Sequence, residues 1–200
     1  MPTGVLFALL GYAVFCVSDA LLKAIGPTVS VFEIAFFTTI FSMVPAIATS
    51  REERWQLMFR MRHPYLLQLR CVFAIFSSTC VMYAFTHIKF AEVYAIAFAA
   101  PIFITILSVV FLKEHMTSLR WVMLAVGFVG VLLVVQPGFR QLEFAHFAMA
   151  AAACSSAIAA ILLRKIAPFE QRISIMGVTM LYSLVFNGAM MWPEIGRAHV

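Results

Sequence analysis

Apolar residues do not alternate with polar ones along this chain. They fall in seven long runs separated by short polar breaks, at about residues 4–25, 31–49, 66–87, 91–112, 119–136, 144–166 and 173–192. Each run approaches the ~20 residues a helix needs to cross the hydrocarbon core of a bilayer. The fold class that follows is an all-α polytopic membrane protein, since a helix satisfies its own backbone hydrogen bonds in lipid. The runs occupy most of the 200 residues, so no soluble domain fits beside them. The first is too long for the apolar part of a signal peptide and lacks a basic leader and a small-residue cleavage site, so it is read as a retained helix.

The breaks carry their own information. Gly26-Pro27 ends the first run and folds it against the second as a tight hairpin. Pro45 is placed to kink or end the second run. Ser50 and Glu53 have capping-box spacing, and Arg54, Trp55, Leu57, Met58, Phe59, Arg60 and Arg62 follow them. That mixture fits a short helix lying on the membrane surface and ending before Pro64, or else a plain basic loop. Pro101, near the middle of the fourth run, removes the hydrogen bond to the carbonyl of Ala97 and predicts a bend, as in helices that line a pathway. In the fifth run Gly127 and Gly130 are spaced for close helix contact, and Pro137-Gly138 closes it.

Against this background the polar residues stand out. Tyr12, Cys16, Asp19 and Lys23 are spaced four, three and four apart, which places them on one face of the first helix. A lone carboxylate at the depth of Asp19 costs some 2.5 to 3.5 kcal/mol to insert, so Asp19 is the leading candidate for a coupling or substrate-contacting group. Lys23 either joins it, as an i, i+4 pair, or snorkels to the interface. Ser77 and Ser78, in the run Ser77-Ser78-Thr79-Cys80, and Ser155 are ligand candidates for which helix packing is the stronger alternative. Tyr83, Tyr94 and Pro101 complete the set. Glu33, Glu92 and Arg70 lie near the ends of their runs, where charge is less costly.

Composition and charge refine this picture. Hydrophobic residues make up 64% and charged residues 12%, against roughly 25% charge in soluble domains. The formal charge of +5 does not point to nucleic acid, because the basic residues are spread over loops. Ten of them (Arg51, Arg54, Arg60, Arg62, Arg70, Lys113, Arg120, Arg164, Lys165 and Arg172) fall in one set of alternate loops, and three (Lys23, Lys89 and Arg140) in the other. By the positive-inside rule the rich set is cytoplasmic, and so is the N-terminus. Cys16, Cys71, Cys80 and Cys154 show neither C-x-x-C nor Cys/His spacing, so neither disulfide nor metal is expected, and no cofactor motif is present. An intramembrane enzyme would need a nucleophile, paired aspartates or an H-E-x-x-H site, and a seven-helix receptor or retinal protein an outside N-terminus or a lysine in mid-seventh helix. The sequence offers none of these.

Leu21-Leu22-Lys23-Ala24-Ile25 returns as Leu162-Leu163-Arg164-Lys165-Ile166, an offset of 141 residues. The second copy lies five helices further on, an odd number, so it enters the membrane from the opposite side. This is the inverted repeat on which many secondary transporters are built. The position equivalent to Asp19 is Ala160, so the copies are not chemically symmetric.

One stretch carries a family likeness. Ala99-Ala100-Pro101, then Phe111-Leu112-Lys113-Glu114-His115, Trp121, and a glycine-bearing helix ending at Gln136-Pro137-Gly138 resemble the EamA-type drug/metabolite transporters, as do Ser30–Phe37 and Leu69-Arg70. Among them, the chain is most similar to carriers for S-adenosylmethionine uptake. The resemblance implies ten helices in two inverted five-helix repeats, with residues 1–138 forming the first repeat and 143–194 the start of the second. Residues 195–200, Ile-Gly-Arg-Ala-His-Val, resemble a translated sequencing adapter and carry no argument. It also implies secondary active transport of small organic metabolites across the bacterial inner membrane by alternating access, with the proton as a candidate coupling ion. Glu114, Trp121 and Gly127 would then be structural signature positions, and the partners a small-molecule substrate and the lipid bilayer.

Overall fold

The computed structural model describes residues 2–26, 29–49, 59–113, 115–135 and 142–195. Eight helices form among them: α1 (Pro2–Ile25), α2 (Val31–Thr49), α3 (Pro64–His87), α4 (Phe90–Ala97), α5 (Ala100–Leu112), α6 (Ser118–Val135), α7 (Phe144–Ile166) and α8 (Arg172–Ile195). Five spans, Gly4–Ile25, Pro64–His87, Phe90–Leu112, Phe144–Ile166 and Arg172–Trp192, are long and apolar enough to cross a membrane, and Val31–Ile47 and Ser118–Gly130 are shorter apolar helices. The chain is an all-helical, multi-pass membrane protein. Of the surface helix expected after Ser50, residues 50–58 lie outside the described residues and 59–63 are not α-helical; Pro27, Glu114, Gln136, Pro137, Gly138 and 196–200 also lie outside them.

Two proline expectations resolve differently. α2 runs through Pro45 to Thr49 without ending there. The fourth run does not merely bend but breaks: α4 stops at Ala97, Phe98 and Ala99 form a turn, and Pro101 sits in the first turn of α5. That is where proline's missing N–H is not needed. Ala99 N–H donates to the Ile96 carbonyl at 2.9 Å and Ile102 N–H to the Ala99 carbonyl at 3.0 Å, so the break keeps its backbone paired.

α3 is the central post. Its principal neighbour is α7, whose buried stripe is built of Ala145, Ala148, Ala152, Ala153, Ala157 and Ala159. Side chains this small let two helix backbones approach closely, which is how helices associate where lipid removes the hydrophobic drive. Towards the end of the bundle that carries Lys23, Ala84, Phe85, Val93, Ile96, Met149 and Ala152 pack α3, α4 and α7 into one cluster. Towards the opposite end, Leu67, Cys71, Ile166 and Val178 join α3 to α7 and α8. The α1–α2 turn is pressed onto the first of these ends. A Cβ on Gly26 would stand 2.5 Å from Cγ2 of Thr86, so only glycine fits there.

α1 and α6 lie at the margins, with most of their large apolar side chains exposed. The spacing of Gly127 and Gly130 is not used for close contact among the described residues, since a Cβ at either would meet nothing within 4 Å.

Candidate functional site

Asp19 and Lys23 turn towards the bundle, each to a different partner. Tyr94, on α4, donates its hydroxyl hydrogen to Oδ2 of Asp19. The tyrosine is held by rings on both sides, with Phe90 at 4.9 Å and Phe85 at 6.0 Å between centroids. A carboxylate that would otherwise sit in lipid thus has a charge-assisted hydrogen bond in a partly buried setting. Lys23 reaches α3 instead of Asp19. Its Nζ donates to the carbonyls of Phe85 at 2.6 Å and Ile88 at 2.7 Å. Those are oxygens at the C-terminal end of α3, where the helix dipole is negative and the last carbonyls lack helical partners. Tyr12 is 74% exposed, and Cys16, though exposed, lies within reach of the Tyr94 hydroxyl beside Asp19.

A second charged contact lies nearby. Glu92 of α4 is buried, and its Oε2 is 3.2 Å from Nε2 of His146 on α7, with His146 also closing a capping box with Glu143. At the far end of α3, Glu170, from the α7–α8 turn, accepts from the backbone N–H of Arg62 at 2.7 Å and from that of His63. Those N–H groups precede the first turn of α3, whose N-cap His63 makes no side-chain cap of its own. A carboxylate at the positive end and an ammonium at the negative end thus hold α3 from two different turns.

The other sequence candidates separate by role. Ser77 is buried and donates to the Ala152 carbonyl at 2.9 Å, which ties α3 to α7. Ser155 is buried on α7 with Ala152, Ala153 and Ala157. Tyr83 stacks on His87 at 3.9 Å and, with Ser30, Thr79 and Thr86, lines a groove of about 550 Å³ between α3 and the α1–α2 turn. Pro101 is exposed. Trp121 lines an apolar cavity of about 490 Å³ between α5 and α6, with Ile102, Phe103 and Phe128.

Ser78 belongs to a feature that sequence reasoning missed. With Thr39 and Ser42 of α2 and Thr179 and Ser183 of α8, it lines a cavity of about 240 Å³ walled by three helices. Thr39 and Ser183 hydroxyls are 3.0 Å apart, and Asn187, fully buried, donates to the carbonyl and the hydroxyl of Ser183. A signal for it exists. Thr38-x-x-x-Ser42 and Thr179-x-x-x-Ser183 are related by the same offset of 141 residues as the Leu-Leu-Lys echo. Among the described residues no cluster of His, Cys, Asp or Glu has the form of a metal site.

Residues 2–136 match the EamA-like transporter family. The chain belongs to that family. Within it, this EamA-family chain is similar to an S-adenosylmethionine uptake transporter of Rickettsia prowazekii, 25% identical over 193 residues, covering 95% of this chain and 63% of the relative. The corresponding transporter of Rickettsia felis is 28% identical over 193 residues, 96% of this chain and 63% of the relative. The pseudopaline exporter CntI of Pseudomonas aeruginosa is 31% identical over 137 residues, 68% of this chain and 48% of the relative. The chain thus spans 63% of the length of the two Rickettsia relatives. No solved structure matches it significantly.

Proposed function

We propose that this protein is, or is the larger part of, a secondary carrier for small organic metabolites, working by alternating access with a proton as coupling ion. Asp19 is the coupling group in this reading. The observation that carries it is the Tyr94–Asp19 hydrogen bond. It joins a carboxylate on the marginal helix α1 to the discontinuous α4–α5 segment, and a group that gains or loses a proton there makes or breaks a contact between two elements able to move apart. Discontinuous helices beside the site are a recurring construction in secondary transporters. An ionisable side chain kept inside a membrane segment is itself a functional-site hypothesis.

In this reading the N-terminus is cytoplasmic, by the charge asymmetry of the loops, and the membrane is the bacterial inner membrane. The Lys23 end of the bundle then faces outward and the Glu170 end inward. Residues 1–138 form one repeat and 143–194 begin its inverted partner. The named relatives are two uptake transporters and one exporter, so the shared property carried over is movement of a small organic solute and not its direction.

The test is uptake into proteoliposomes holding the intact protein, with and without a proton gradient, across S-adenosylmethionine, amino acids, nucleosides and aromatic cations. The expected result is accumulation of at least one solute that the gradient drives and a protonophore abolishes. A protein that moves none of them, or moves one indifferently to the gradient, contradicts the coupled carrier.

A further inference from the structure

The contact between α4 and α7 turns on a histidine whose two ring nitrogens have different partners. His146 is the third residue of α7, three after the N-cap Glu143. The backbone N–H of Glu143 donates to its Nδ1 at 3.1 Å, and its Nε2 is 3.2 Å from Oε2 of Glu92 on α4. In return the Glu143 side chain accepts from the backbone N–H of His146, which completes a capping box. Only a ring nitrogen without hydrogen can accept an N–H, so the box assigns the hydrogen of the neutral ring to Nε2, aimed at the Glu92 carboxylate. The neutral ring satisfies both partners at once.

A second proton on the ring ends that arrangement. Nδ1 becomes a donor and can no longer accept from Glu143; the Glu143 carbonyl, 3.3 Å away, is left to it, already shared with the His146 backbone N–H. At Nε2 a neutral hydrogen bond becomes a charged pair with a carboxylate. One proton thus takes a cap from α7 and adds an ion pair between α4 and α7. The two side chains are only 11% and 9% exposed, so solvent screens that pair little, while Glu143 beside them is exposed and opens this end of the bundle to water. The other charged or titratable groups here have partners of their own or are exposed. On α1, Asp19 accepts from Tyr94 of α4, and Lys23 donates to the Phe85 and Ile88 carbonyls of α3. On α3, His87 stacks on Tyr83, whose other face meets the edge of Phe144, and Cys80 packs against the α3–α4–α7 cluster. Lys89, the N-cap of α4, is exposed, and Arg140 lies outside the described residues. Lys113 after α5, Arg120 on α6 and Arg164 on α7 belong to the opposite end.

We infer that Glu92 and His146 form a second proton-binding site, separate from Asp19, at which a proton taken from the outer side exchanges the cap of α7 for an ion pair and holds α4 more firmly on α7. Its consequence rests on the carrier reading: α4 also bears Tyr94, the partner of Asp19, so outside acid acts on the helix that holds the coupling carboxylate and slows its separation from α7. The protonation itself does not depend on transport.

Two measurements test the site. Nitrogen-15 NMR of the intact, histidine-labelled protein in lipid nanodiscs reads the ring directly, with the His146 signal identified by its loss in His146→Gln or His146→Asn. Hydrogen on Nε2 alone at about pH 8 and on both nitrogens by about pH 5 is expected, the range in which imidazoles change charge. Hydrogen on Nδ1 alone at the higher pH, or a ring that does not change, overturns the site. The second measurement is solute exchange in proteoliposomes at equal concentrations on both sides, as a function of outside pH. His146→Gln keeps the capping box, where glutamine is a usual third residue, but cannot gain a charge. The ratio of wild-type to His146→Gln exchange is expected to fall about threefold or more from the higher pH to the lower, the margin between a charged and a neutral hydrogen bond. Glu92→Gln, which offers Nε2 an acceptor but no anion, is expected to lose the acid slowing in the same way. A constant or rising ratio overturns the inference, as does acid slowing of wild-type size in Glu92→Gln. A ring that titrates as expected in a protein that moves no solute removes the carrier and leaves the proton site. Gradient-driven uptake with a ring that does not titrate removes the site and leaves the carrier.

Discussion

Asp19 and Lys23 show what an isolated polar residue in an apolar run does and does not disclose. That they are not lipid-facing is legible from cost alone, because a bare charge at that depth is expensive. Their partners are not, because Tyr94 lies 75 residues from Asp19 in sequence, and Phe85 and Ile88 lie 62 and 65 from Lys23. Helical periodicity places residues on a face of their own helix and cannot say which helix that face meets. It grouped Tyr12 with Asp19, and Tyr12 lies two turns along the same face of α1, where that helix is exposed. Two outcomes follow at this scale. Tyr94→Phe keeps the ring contacts with Phe90 and Phe85 but removes the only hydroxyl, and should lower gradient-driven uptake about tenfold, measured as initial rate in proteoliposomes. Lys23→Met leaves the end of α3 without its cation and should cost about 1–2 kcal/mol of stability, read as a lower unfolding midpoint in detergent, with Lys23→Arg largely neutral.

α3 shows the same division among the helices. Its existence and its end at His87 were legible in the apolar run at 66–87, and it begins two residues earlier than that run, with Pro64 in its first turn. Its fastening was not. Glu170 reads in the sequence as one polar residue in a turn, yet it caps a helix that starts more than a hundred residues earlier. The hydroxyls of α2 and α8 were overlooked because serine and threonine in membrane helices usually mean packing, and only the coincidence of their 141-residue offset with the Leu-Leu-Lys echo marks them. Glu170→Gln keeps one acceptor but loses the charge, and Glu170→Ala loses both. Stability should fall in that order, by about 1–3 kcal/mol for alanine, in the same unfolding assay. At the end of α5 the strain runs the other way. Lys113 sits at φ 55°, the left-handed conformation that favours glycine, with its N–H bonded to the Ser108 carbonyl. Lys113→Gly should therefore stabilise the protein by about 0.5–1 kcal/mol.

At the scale of the molecule, the bundle is a central post, α3, packed against α7 and held at each end by a charge from a different hairpin turn. Lys23 comes from the end of α1 and Glu170 from the turn after α7, and these two hairpins are the ones the sequence echo relates. Around it, Asp19 meets α4 through Tyr94, and the hydroxyl cavity lies between α2, α3 and α8. The central claim is that Asp19 couples solute movement to the proton without being needed for the movement itself. The direct measurement is made on proteoliposomes containing Asp19→Asn, comparing solute exchange at equal concentrations on both sides with accumulation against a gradient. Exchange close to the wild-type rate with accumulation abolished is the predicted result. Accumulation at the wild-type level in Asp19→Asn would contradict it.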